Sequence, residues 1–125
     1  MKIAVCGNER ENVIKRLEKI LRTEAVRPKL DTEHSIVNMA KETYGQTKRK
    51  NVVYDGCVLE YLKPGLNEEF FDVYEQIALT SLVNIDKIFV VTKGIDEDEL
   101  NMYKEYIEFL DGKINFVTDE NEVIL

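Results

Sequence analysis

The sequence predicts an α/β fold, a three-layer α/β/α sandwich with a mostly parallel sheet of about five strands. Three observations carry that expectation. Apolar runs of strand length alternate with segments whose apolar residues recur every three or four positions, the periods of strand and amphipathic helix respectively. The run IFVV at 88–91 is continuous rather than alternating, as in a strand covered on both faces. The first apolar run passes through one glycine, Gly7, into a helix, which is a β-α unit and implies right-handed crossovers between parallel strands.

The elements follow in order. Ile3 to Cys6 is a short strand, and Val13, Ile14, Leu17, Ile20 and Leu21 then fall on one helical face. Asn8 with Glu11 has the spacing of a capping box at the start of that helix. The stretch VRPKLD is a weak edge strand, because Pro28 lacks the N–H that a ladder needs. Thr32 caps a second helix running to about Arg49, with Ile36, Val37, Ala40 and Tyr44 inward. Asn51 to Leu59, NVVYDGCVL, is the second strong strand, and Pro64-Gly65 ends the segment after it. Asn67 caps a helix with Phe70, Phe71, Tyr74, Ile77, Ala78 and Leu82 at helical spacing. After strand 88–91, Asp96 and Glu99 form a capping box for a last helix with Leu100, Tyr103, Ile107 and Leu110 inward and Gly112 as its C-cap. Ile114 to Val117 is the final strand.

A chain of 125 residues has the length of one domain, here residues 1–125, and can bury a substantial core. With 44% hydrophobic residues and only two prolines it is a globular rather than a disordered sequence. No apolar run approaches the roughly 20 residues needed to span a bilayer, and MKIAVCGNERE lacks the long apolar core of a signal peptide. A cytoplasmic protein without membrane contact is expected. Cys6 and Cys57 lie in strand-like runs without metal-site spacing, so both are expected to be free, buried thiols. Charge is uneven: residues 1–63 carry 13 Lys+Arg against 9 Asp+Glu, and residues 64–125 carry 4 against 15. The net charge of −7 argues against nucleic-acid binding and directs attention to a protein partner for the acidic second half.

Two phrases carry a family resemblance. Lys2-Ile3-Ala4-Val5-Cys6-Gly7 and Asn51-Val52-Val53-Tyr54-Asp55-Gly56 resemble the first strand and a later acidic strand of the P-loop nucleoside and nucleotide kinases, including small ATPase-like kinases of bacteria and their phages. DVYEQIALTSLVNIDKIFVV is similar to that family's helix leading into a further strand. The resemblance implies nucleotide and magnesium as ligands, held at the strand's carboxyl end, with Gly7, Asn8, Arg10, Asp55 and Thr92 as the candidate ligand-binding residues. The departures are chemical. The phosphate loop G-x-x-x-x-G-K-[ST] wraps phosphates in backbone N–H groups, neutralises them with lysine and holds magnesium through a hydroxyl. Counted from Gly7, those three positions are Asn12, Val13 and Ile14. No arginine follows Arg49, and the segment KGIDEDE at 93–99 is acidic where a kinase lid is basic, so the charge stabilisation that phosphoryl transfer needs is missing.

The expected function is therefore that of a catalytically degenerate, kinase-like binding protein, a pseudo-enzyme with no catalytic residues and no metal ligands. It would act through protein contact or through weak binding of a nucleotide-like molecule, and no cofactor is expected. A stripped domain of this kind suits a phage or mobile element. Two alternatives stand beside it. One is a small nucleotide-metabolism enzyme using Asp55, Glu60 or His34 as acid or base. The other is a degenerate receiver-like docking module, since MKIAVCGNEREN, VLEYLKPGLN and IFVVT are similar to response-regulator receiver domains, with Glu60 at the phospho-acceptor position and Thr92 at the hydroxyl position. Strand order separates the two resemblances: a kinase-like sheet puts strand 52–55 between the second strand and the first, whereas a receiver puts the second strand there.

Overall fold

The computed structural model describes residues 1–27, 36–37, 39–41, 49–65 and 68–125. Four parallel strands, β1 (Lys2–Gly7), β2 (Val52–Asp55), β3 (Lys87–Val91) and β4 (Ile114–Val117), form one sheet in the order β2-β1-β3-β4. Three α-helices are described, α1 (Glu11–Leu21), α2 (Phe71–Ser81) and α3 (Glu97–Glu105), and residues 36–37 and 39–41 are also helical. The α/β class and the parallel sheet are those that the sequence predicts. The expected edge strand is reduced, among the described residues, to one parallel bridge between Val26 and Tyr54. Pro28, Thr32, His34 and Asn67 lie outside the described residues.

Alternation along β1 divides the core in two. Ile3 and Val5 share a cluster with Val13, Ile14 and Leu17 of α1 and with Phe89 and Val117. Ala4 and Cys6 share the other with Ala78 and Leu82 at the end of α2 and with Met102 and Tyr103 of α3. Each large apolar side chain buried this way contributes about 1.5–3 kcal/mol. The continuous apolar character of β3 follows, because Ile88 and Val90 face one cluster while Phe89 and Val91 face the other.

Several local expectations are corrected. The strand after Asn51 ends at Asp55, because Gly56 takes φ 116°. Cys57 and Glu60 then exchange hydrogen bonds that open a 3-10 helix, Val58–Leu62. In α1, Ile20 is exposed, since it lies at the margin of the face set by Val13 and Leu17. Helix α2 begins at Phe71 without a side-chain cap. Asp96 does cap α3, accepting from the Glu99 N–H at 2.8 Å. Its regular hydrogen bonding nevertheless stops at Glu105, turns occupy 106–112, and the inward residues are Met102, Tyr103, Tyr106 and Leu110 while Ile107 is exposed. Gly112 ends that segment at φ 78°.

Candidate functional site at the carboxyl edge of the sheet

Gly7, Asn8, Arg10, Asp55 and Thr92 all lie at the carboxyl edge of the strands, where parallel α/β sheets place their ligands. Each has a structural partner. Gly7 pairs with Val91, and a Cβ added to it would stand 2.2 Å from the Val91 carbonyl oxygen. Close approach of two strands, at φ 95°, therefore demands glycine there without any ligand. The Thr92 N–H and hydroxyl both donate to the Val117 carbonyl, at 2.8 and 3.3 Å, tying β3 to the end of β4.

Asn8 does not cap α1. Glu9 adopts a left-handed φ of 51°, Arg10 becomes the N-cap residue with no side-chain cap bond, and the Asn8 amide donates across to the Gly94 carbonyl at 2.9 Å. Glu11 is the first residue of the helix. There its charge complements the helix dipole, but its carboxylate accepts from Arg27, at 2.6 and 3.1 Å, instead of reaching back.

Arg10 and Asp55 do meet, with the Arg10 Nε donating to Asp55 Oδ1 at 2.8 Å. Arg10 Nη1 is also held by both oxygens of Glu60, at 2.7 and 2.9 Å, and Glu60 Oε1 accepts the Cys57 N–H at 3.1 Å. The second oxygen of Asp55 accepts from Arg27 Nη1 at 2.6 Å. A continuous chain of charge runs Glu11, Arg27, Asp55, Arg10, Glu60, with three carboxylates for two guanidiniums. Sequence reasoning named Arg10, Asp55 and Glu60 separately and missed Arg27. The signal for it was register: Val26 bridges Tyr54, so the next residues on each segment, Arg27 and Asp55, fall side by side.

Burial sharpens this network. Side-chain exposure is 25% for Arg10, 21% for Asp55 and 18% for Glu60, against 46% for Arg27. Burial works against the Arg10 charge, but Glu60 and then Asp55 more than offset it and raise its pKa, so the guanidinium stays charged. Burial also raises the pKa of Glu60, with the attraction of Arg10 opposing the shift only in part. Both carboxylates are engaged by guanidinium donors, so neither is a free general base.

The site does not fit a nucleotide with magnesium. Val13 and Ile14, where a phosphate loop counted from Gly7 would need a lysine and a hydroxyl, are packed in the core. Arg10, the cation beside Gly56, carries the protein's own carboxylates. An entering phosphate would meet Asp55 and Glu60 as like charges and would have to displace them from Arg10. Among the described residues, no group of three or more His, Cys, Asp or Glu is arranged to hold a metal ion.

Behind this edge, Cys6 and Cys57 are free and buried. Burial raises the Cys6 pKa, and neighbouring Cys57 raises it further, which keeps the thiol protonated and unreactive. Among the described residues no helix is long and apolar enough to cross a membrane. Comparison with protein-family models, with curated proteins and with solved structures finds no match to this chain.

Proposed function

We propose that this chain is a catalytically inert domain with a P-loop-kinase-like frame, which works in the cytosol by binding another protein through its acidic second half. The observation that carries this reading is the pairing of Arg10 with Asp55 and Glu60. The edge of the sheet where a kinase handles phosphate is closed by internal salt bridges, and its surplus charge is negative. Strand order supports the kinase-like frame over the receiver-like one, because β2 lies between the Val26 segment and β1.

The acidic half supports a protein surface. Of the run 96–99, Asp96 is spent on the α3 cap, and Glu99 is buried against Lys63 and Tyr103. Glu97 and Asp98 are left exposed. Thermal unfolding with ATP, GTP and deoxynucleoside monophosphates, with and without magnesium, is expected to show no concentration-dependent stabilisation. Saturable stabilisation that disappears in Arg10→Ala would overturn the reading. Co-purification of wild type and a Glu97→Gln/Asp98→Asn variant is expected to differ in recovered protein. Identical recovery would count against an acidic interface.

A further inference from the structure

The geometry points to a docking groove for a basic, amphipathic peptide segment of a partner protein, formed between the start of α2, one face of α3 and residues Lys63 and Pro64 after the 3-10 helix. This inference rests on the proposal that the acidic half binds protein, and adds the place and the chemistry. The groove encloses about 380 Å³. Its floor is apolar, from Leu62, Phe71, Met102 and Tyr106, and its rim carries Glu68, Asp98 and Glu105.

Three features select the occupant. The rim is negative without internal compensation from Lys63, whose ammonium is already held by Glu99 at 3.0 Å, so the complementary ligand is cationic. The cavity does not stand alone. Pro64 and Asp98 also border a hollow of about 250 Å³, and Glu68 and Phe71 border another of about 320 Å³. Neighbouring hollows that share lining residues suit a chain segment rather than a compact amine. Beside it, Phe70 and Val73 are 55% and 57% exposed and extend the apolar strip, so the ligand must offer apolar side chains between its cations, as an amphipathic segment does. None of Gly7, Asn8, Arg10, Asp55 or Thr92 lines the groove, which makes it independent of the closed sheet edge.

The test uses fluorescence anisotropy with a labelled synthetic helix of leucine and lysine, leucines on one face, and the same peptide with glutamate for lysine. Wild type is expected to bind the lysine peptide and not the glutamate peptide. A Glu68→Gln/Asp98→Asn/Glu105→Gln variant is expected to bind about tenfold more weakly, whereas neutralising Glu24, Asp111 and Glu122, which are exposed and line none of these hollows, changes affinity by less than about twofold. Phe70→Ser, at an exposed position that leaves the core intact, is expected to weaken binding several-fold. Unchanged thermal unfolding in each variant confirms that folding is not the cause. Equal loss in both triple variants overturns the groove but leaves protein binding by the acidic half standing. No binding by wild type overturns the groove. If the Glu97→Gln/Asp98→Asn variant also co-purifies identically with wild type, the broader proposal falls with it.

Discussion

Replacing Arg10 with methionine keeps an unbranched apolar stem and removes the guanidinium with its charge. Asp55 and Glu60 are then left facing each other, about a fifth exposed, with Arg27 compensating Asp55 alone. Removing one partner of a fully buried ion pair costs about 3–5 kcal/mol, and the partial exposure here argues for the lower end, about 3 kcal/mol. In a domain of this size that is a fall in Tm of about 10 °C. Arg27→Met is the internal control. Its side chain is 46% exposed, so its two ion pairs lie in the screened surface regime and their loss costs about 1 kcal/mol or less. Equilibrium urea unfolding of wild type, Arg10→Met, Glu60→Met and the double variant gives the coupling directly. The double variant should recover part of the loss, because a buried pair replaced by two apolar side chains no longer leaves a stranded charge. An Arg10→Met cost within about 0.5 kcal/mol of wild type, or additive single effects, would refute the assignment of a coupled, partly buried network.

Gly7→Ala should destabilise by about 3 kcal/mol or more, since its Cβ would enter the Val91 backbone; a variant with normal unfolding would show that packing does not require glycine. Burial raises the pKa values of Tyr61, Tyr103 and Tyr106 above the ordinary tyrosine value. The folded state therefore keeps protons that the unfolded state loses, and their contribution, complete below about pH 10, declines as pH rises beyond it. Tyrosinate absorbance and unfolding should rise together in alkali, and Tyr106→Phe should reduce the slope; tyrosinate forming freely before unfolding would contradict the burial.

The fold was legible where one physical rule dominates locally. The faces of β1, α1 and β3 follow from hydrophobic period, and Asp96 signals the start of α3 because a capping side chain needs only the next turn of backbone. The candidate site was less legible. Asn8 and Glu11 have capping-box spacing, yet the amide of Asn8 reaches Gly94, which is distant in sequence. Arg10 looked like a free cation because its two carboxylates come from another strand and from the 3-10 helix after it. The apolar run continues past Gly56 and so reads as one strand to Leu59, although the glycine and the Cys57-x-x-Glu60 spacing both mark a break. Local wording could not supply long-range pairing, and long-range pairing decides whether a cation is available to a ligand.

The central claim, that the protein's own carboxylates occupy its anion position, is tested most directly by calorimetric titration with pyrophosphate. Wild type and an Asp55→Asn/Glu60→Gln variant, which frees Arg10 while retaining side-chain shape and leaves Arg27 paired with Glu11, should be compared at low salt. Wild type is expected not to bind, and the variant is expected to bind in a salt-sensitive way. Saturable binding of pyrophosphate to wild type with an affinity equal to that of the variant would contradict it.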